Sequence, residues 1–415
     1  MTRTLPEQGT PWAELEARMQ QLAEHDLDWR NGKAAVYIFH SGDDVMRVAH
    51  DAYGHFIAEN GLGPAAFPSL KNMEREVVDM ALSLQHAPAD GRGFMTSGGT
   101  ESILLAIKAC RDRGIEQGHD PGSMNIVAAA SAHPAFDKGA QLMGLSVERV
   151  PCGTDYKADV PAMLDAVDDS TVMLVGSAPC FPYGVIDPIE DLGGFAEARD
   201  LWLHVDACVG GYINPFLAQI AADPPEPHNF AVPGVTSMSL DLHKYGYAAK
   251  GASTVLYRSD AFAAYQPFDF DAWPCGRMFT PTFAGTRPGG AIAAAWAVMH
   301  YLGNAGYVAK ARQILNARET LLEGISGLGL RVFGDPRSSI VTFGWDEGDI
   351  LAVGEGLYAA GWMSSRTQNP DGIQLMLSPE HVHHMDKYLK LLEKLVDEVR
   401  TGQRVRGSGR VSYAE

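Results

Sequence analysis

Five short apolar runs, at residues 126–130, 172–175, 202–205, 235–240 and 253–257, constrain this chain more than any other feature. Helical or turn stretches such as 189–199 separate them, and upstream Met73, Val77, Met80, Ala81 and Leu84, then Ile103, Ile107 and Cys110, recur at helical spacing. A strand written as an unbroken apolar run, with no alternation, must be covered on both faces. Such strands interleaved with helices predict an α/β domain built on a large, mostly parallel sheet covered by helices.

After the alanine-rich segment 290–301 and a helical stretch to about Leu328 the texture changes. Residues 331–333, 339–343, 362–367 and 373–377 read as short strands, and 349–360 and 380–399 as helices. The expected organisation is an N-terminal arm at 1–70, which wraps a neighbour, a large domain at 71–315, a small C-terminal α+β domain at 316–402 and a flexible tail at 403–415. Five widely spaced cysteines, an odd number with no C-x-x-C pair, predict free thiols in a reducing compartment and neither a disulfide framework nor a metal site. No apolar stretch approaches the roughly 20 residues of a membrane span, and the first residues lack a signal peptide's apolar core, so a soluble cytoplasmic protein is expected. With 51 acidic against 33 basic residues the net charge is −18, which repels nucleic acid and anionic lipid. An anionic ligand must therefore be held by a few focused donors.

In a parallel sheet ligands gather beyond the carboxyl ends of the strands, and four such places carry chemistry. Thr96-Ser97-Gly98-Gly99-Thr100-Glu101-Ser102 opens a helix; its glycines admit close approach, and its free N–H groups with the Thr100 hydroxyl form a phosphate cradle. Its spacing matches no nucleotide-binding fingerprint. The run at 126–130 leads to His133, whose imidazole suits stacking on a planar ring. The run 202–205 ends in Asp206, a carboxylate able to pair with a protonated ring nitrogen and raise that nitrogen's pKa, though a helix cap is the commoner use of such a residue. The run 235–240 leads into Asp241-Leu242-His243-Lys244-Tyr245-Gly246-Tyr247-Ala248-Ala249-Lys250-Gly251. Among these apolar and aromatic neighbours the Lys244 amine is expected to lose hydration, fall in pKa and become a nucleophile for a carbonyl. His381, His383 and His384 have no ligand spacing and are expected at the surface.

Cradle, stacking imidazole, strand-end carboxylate and strand-end lysine are together the parts of a pyridoxal phosphate site. The chain moreover resembles the sphingosine-1-phosphate lyases, within the pyridoxal-phosphate decarboxylases of aspartate-aminotransferase-like fold (fold type I), from about Tyr37 to about Leu330. The similarity is carried by Phe67-Pro68-Ser69-Leu70, by segments 96–103, 132–138, 181–188 and 204–211, by the Asp-x-His-Lys stretch 237–251, and by Ala284-Gly285-Thr286-Arg287-Pro288-Gly289-Gly290. It implies that Lys244 bonds the cofactor, that Asp206 faces its pyridine nitrogen, that His133 stacks on the ring, and that Gly99, Thr100 and His243 hold its phosphate. It also implies a homodimer in which Gly285 and Thr286 of one subunit reach the phosphate of the other. Tyr37, Asn60 and Lys250 match positions on the substrate side, and Tyr183 is expected to bind substrate although it stands at a position where the family differs. Lys250 and Tyr37, with Lys244 as a third, are the candidates for proton transfer in a retro-aldol cleavage of a phosphorylated sphingoid base to a fatty aldehyde and phosphoethanolamine.

Four positions depart from the family pattern. Gly63 stands for a histidine, Cys180 and Tyr183 for glutamine and histidine, and Ala249 for proline. The cofactor half of the site thus matches while the substrate half differs, which keeps amino-acid decarboxylation open as a second reading.

Overall fold

In the computed structural model, which describes residues 4–406, the five apolar runs form the interior of one seven-stranded sheet. Its strands are β1 (Arg92–Thr96), β2 (Asn125–Ala129), β3 (Ser146–Val150), β4 (Thr171–Ser177), β5 (Trp202–Asp206), β6 (Val235–Leu240) and β7 (Ser253–Tyr257). They lie in the order β1-β7-β6-β5-β4-β2-β3, and only β7 runs against its neighbours. Every residue of β4, β5, β6 and β7 is buried, as an unbroken apolar run requires. β1 and β3 have no apolar run to announce them. They are the two edges of the sheet, where Arg92, Ser146 and Glu148 reach solvent.

Helices Pro68–Leu84, Gly99–Glu116 and Ile189–Arg199 cover the sheet at the expected spacings, with Val77, Ala81, Ile103, Ile107 and Cys110 buried. A hairpin of β8 (Phe268–Phe270) and β9 (Met278–Thr280) projects from the large domain. The C-terminal unit is an antiparallel sheet in the order β10 (Arg331–Val332), β11 (Ile340–Gly344), β13 (Gly372–Met376), β12 (Ser365–Thr367), with helices Ile350–Ala359 and Met385–Arg400. The fold is therefore the expected one, a large mostly parallel α/β domain with a small α+β unit.

Three local expectations change. The strand expected from Trp362 begins only at Ser365, because the Met363 backbone pairs with Lys33 and Ala35 of the N-terminal segment instead of with β13. The last helix is not continuous from residue 380: a 3-10 turn at Pro379–His383 precedes Met385–Arg400. His381, expected at the surface, is 1% exposed, because its ring accepts the Ser378 N–H at 2.8 Å and completes a capping box. Of the expected tail, residues 407–415 lie outside the described residues, while the N–H groups of Gln403 and Arg404 still donate to the Glu398 carbonyl.

Two connections hold the parts together around the site. The Ala35 N–H donates to the Met363 carbonyl at 2.8 Å and the Met376 N–H to the Ala35 carbonyl at 2.7 Å, so the N-terminal segment is stitched into the small sheet. Helix Gly289–Gly327 runs through the expected boundary at 315/316 and packs against helices Asp43–His55, Pro68–Leu84 and Met385–Arg400. It consists of two helical arms meeting at Gly303, whose φ of 53° and ψ of −175° belong to a region occupied almost only by glycine. Gly303→Ala is expected to destabilise the protein by about 1–3 kcal/mol through backbone strain alone, since no neighbour lies within 4 Å of an added β-carbon. Chemical denaturation checks it; a variant as stable as the parent would contradict the strain.

Candidate active site

The carboxyl ends of β1, β2, β4, β5 and β6 converge on one cavity of about 440 Å³. Its walls include Gly98, Gly99, Thr100 and Glu101 after β1, His133 after β2, Phe181 after β4, Asp206 and Cys208 at β5, and Asp241, His243 and Lys244 after β6. Tyr37 and Phe39 from the N-terminal segment and Met376 from β13 complete it.

One wall of the cavity is the start of helix Gly99–Glu116, whose first turn no described side chain caps. Its N–H groups and the positive end of its dipole are thus left for an anion. Gly99 is required there by space: a β-carbon would stand 2.6 Å from Cys208 Sγ and 2.9 Å from Asp241 Oδ2. His243 lies against the same turn, its Cε1 3.4 Å from where a Gly98 β-carbon would be. Burial lowers the His243 pKa against the opposing pull of Asp241.

At the floor, Asp206 Oδ1 accepts the Cys208 N–H at 3.1 Å and the Ser239 hydroxyl at 3.3 Å. This carboxylate turns its own strand end and caps no helix. His133 leaves β2 with its Nδ1 accepting the Ala135 N–H at 3.1 Å, and Arg149 braces the same loop by donating to the Ala129 and Ala132 carbonyls at 3.0 and 2.7 Å. Desolvation lowers the His133 pKa, and the Asp206 charge opposes it. The ring is therefore biased toward its neutral form.

The two lysines of the Asp-x-His-Lys stretch diverge. Burial pulls the Lys244 pKa down, as the sequence leads one to expect, but the Asp241 carboxylate 2.8 Å away, with Cys208 and Asp206, outweighs it and the pKa is raised. The expected fall is thus corrected for the protein without cofactor: Lys244 is an ammonium in an ion pair, and Asp241, 2% exposed, is held below the usual carboxylate range by Lys244 and His243 against the opposing effect of burial. Lys250 is the lysine that falls, to about 8, through desolvation and repulsion by Lys244. Its Nζ donates to the Tyr37 and His243 carbonyls at 3.1 and 3.2 Å and opens onto an adjoining apolar cavity of about 290 Å³ behind Phe39 and His243. The bond to Tyr37 holds a residue whose φ of 65° is unusual for a side chain of that size.

Other expected site residues stand outside this cavity in the single chain. Tyr183 lines a neighbouring pocket of about 360 Å³ that shares His133 and Phe181 with the main one. Asn60 accepts the Leu62 N–H at 3.1 Å beside Gly61, which exchanges hydrogen bonds with Arg287; Arg287 also pairs with Glu74. Thr286 next to it is exposed and is not a wall of its own chain's cavity. Cys180 is 1% exposed and lies behind the wall. Asp241, Glu101 and Cys208 were not singled out as site residues by sequence reasoning. Asp241 had a signal, since three residues before Lys244 in a turn it is within reach of the amine.

Pyridoxal phosphate fits this donor set: a glycine turn in which a β-carbon at Gly99 would collide with the walls, an uncapped helix start suited to the phosphate, a buried carboxylate at the far end, a histidine at the side and an amine beside Asp241. The Asp241 Oδ1 atom is buried without a hydrogen bond, a further acceptor ready for a ligand or water.

Residues 2–330 match the family described as the pyridoxal-dependent decarboxylase conserved domain. The chain is 37% identical over 410 residues to sphingosine-1-phosphate lyase 1 of Mus musculus, covering 98% of this chain and 72% of that protein. It is 31% identical over 406 residues to a probable L-tyrosine/L-aspartate decarboxylase of Methanosarcina barkeri, covering 95% of this chain and 100% of that protein. Among solved structures, the sphingosine-1-phosphate lyase of Burkholderia pseudomallei superposes with a TM-score of 0.93 at 33% identity, covering 97% of this chain and 94% of that one.

The ion pair makes a prediction independent of turnover. In cofactor-free protein, Asp241→Asn removes the main charge holding Lys244 protonated, so the Lys244 titration moves downward while that of Lys250 stays low. Carbon-13 NMR of reductively methylated lysines reads both; an unmoved Lys244 would contradict the pairing.

Proposed function

The chain belongs to the pyridoxal-dependent decarboxylase family, and from that premise we propose that it cleaves the Cα–Cβ bond of a phosphorylated long-chain amino alcohol by retro-aldol chemistry. It is a pyridoxal-phosphate-dependent enzyme of the lyase class. The observation that carries the reading is the convergence of Gly99, Thr100, His133, Asp206, His243 and Lys244 on one cavity with Tyr37 at its mouth. The identity to sphingosine-1-phosphate lyases over nearly the whole chain supports the substrate class.

In this reading Lys244 holds the cofactor through its amine, Gly99, Thr100 and His243 bind its phosphate, His133 lies on its ring and Asp206 keeps the ring nitrogen protonated by opposite charge. When bound, pyridoxal phosphate supplies the sink for the electron pair released at Cα. Lys244, displaced by the substrate amine, is then free beside the reacting carbons, and Asp241 keeps it charged and able to return a proton to Cα. A neutral Lys250, or the Tyr37 phenol it orients through the backbone, takes the proton of the 3-hydroxyl as the bond breaks and the aldehyde leaves. Asn60 and Tyr183 contact the substrate from the flanks.

We further propose a homodimer, with Thr286 of one subunit at the phosphate of the other. An apolar stripe of Trp12, Leu15, Met19 and Leu22 on a helix that buries nothing supports it, as do the exposed Phe268, Phe270, Trp273 and Phe279 around the β8–β9 hairpin. Among the described residues no helix is long and apolar enough to cross a membrane.

The second reading, amino-acid decarboxylation, is favoured by the archaeal decarboxylase relative and by Gly63, Cys180 and Tyr183 on the substrate side. Products decide between them. A sphingoid phosphate incubated with the enzyme is expected to give a fatty aldehyde and phosphoethanolamine; carbon dioxide from an amino acid, with no aldehyde from any sphingoid phosphate, would replace the first reading by the second.

The proton-transfer assignment predicts a pH profile. Desolvation lowers the Lys250 pKa to about 8 in the free protein and the neutral amine is the active form, so kcat/KM is expected to rise about tenfold per pH unit along an acid limb and to level off above it. Lys250→Met is expected to lower kcat by about a hundredfold or more and to erase this limb. A limb that survives the substitution transfers the role to Tyr37 or Lys244.

A further inference from the structure

Glu101 is an acid in the wall of a cavity built for an anion. Both of its oxygens are committed: Oε2 accepts the Ser97 N–H at 2.6 Å and Oε1 the Phe283 N–H at 3.0 Å. Ser97 opens the cradle after β1, and Phe283 immediately precedes Ala284-Gly285-Thr286-Arg287. Glu101 and Phe283 are 182 residues apart in the chain, and neither Ser97 nor Phe283 is part of a helix or strand. The second loop is pinned at its other end by Arg287, which is paired with Glu74 and donates to the Gly61 carbonyl at 3.2 Å. Between these anchors Thr286 is exposed.

We propose that Glu101 is a positioning residue that couples the phosphate cradle of its own chain to the loop presenting Thr286, so that both parts of the phosphate-binding apparatus are set by one carboxylate. This rests on the proposed phosphate roles of Gly99, Thr100 and Thr286. A carboxylate is suited to the task because it is acceptor-only on both oxygens. Glutamine offers one acceptor and turns an N–H toward the other donor, so it preserves one link of the two. The negative charge of Glu101 acts against the bound phosphate, which gives positioning and repulsion opposite consequences when the residue is removed.

The experiment is a titration of the full-length protein with pyridoxal phosphate, read by its visible absorbance, for the parent, Glu101→Gln, Glu101→Ala, Thr286→Ala and the double variant Glu101→Ala/Thr286→Ala. Far-ultraviolet circular dichroism of each cofactor-free protein reports its fold. Positioning predicts a dissociation constant raised about tenfold or more in Glu101→Ala, a smaller rise in Glu101→Gln, and a double variant weaker than either single one by less than the product of their effects. Equal or tighter binding by Glu101→Ala and Glu101→Gln overturns the proposal, because charge and not positioning then governs the site. Multiplicative effects in the double variant overturn the coupling between the loops. An unchanged constant in Thr286→Ala also overturns it, and separately identifies the shared phosphate site as the part of the reading that failed.

Discussion

The central sheet is buried on both faces, so its strands have nowhere to place polar chemistry except beyond their ends. β4, β5, β6 and β7 contain no exposed residue, and even His204 in β5 is satisfied internally, its two ring nitrogens each within hydrogen-bond distance of Ser237 or Ser239 hydroxyls at 2.8 and 3.1 Å. Because β1, β2, β4, β5 and β6 all point the same way, their terminal turns meet at one edge, and the residues that follow them share one cavity. Function here is a consequence of strand direction: five loops brought from distant parts of the chain to a common rim.

Charge is the second organising term. The chain carries a net −18, yet the site must hold an anionic cofactor. The structure answers locally, with an uncapped helix start, His243 and two lysines, and it separates the lysines by environment. Lys244 is drawn up by a buried carboxylate, while Lys250, backed by an apolar cavity and near another cation, is drawn down to about 8. Two like groups with pKa values pushed apart can serve different proton-transfer tasks at one pH. Glu101, an acid in the same wall, has both its oxygens occupied by backbone donors.

Much of this was legible before any coordinates. β6 and β7 occupy the residues read as apolar runs, and helix Ile189–Arg199 the stretch read as helix; the break between helical arms at Gly303 was not read from the sequence. Interior strands are legible because double-sided burial writes itself as composition. β1 and β3 were not, because an edge strand is held by hydrogen bonds that carry no side-chain signature. His381 was misread for the converse reason: a polar residue is buried when a local backbone donor satisfies it, and spacing does not record that.

The sequence by itself determined the layer architecture and the order of the chemical groups, since both follow from local patterns of apolar and polar residues and from short motifs. The tertiary structure alone decided which lysine holds its proton more tightly and which loops touch. It set Lys244 against Asp241 at 2.8 Å, tied Ser97 to Phe283 through Glu101, and left Thr286, Asn60 and Tyr183 outside the main cavity. Electrostatic shifts and long-range hydrogen bonds depend on distance and burial in three dimensions, and no one-dimensional pattern fixes either.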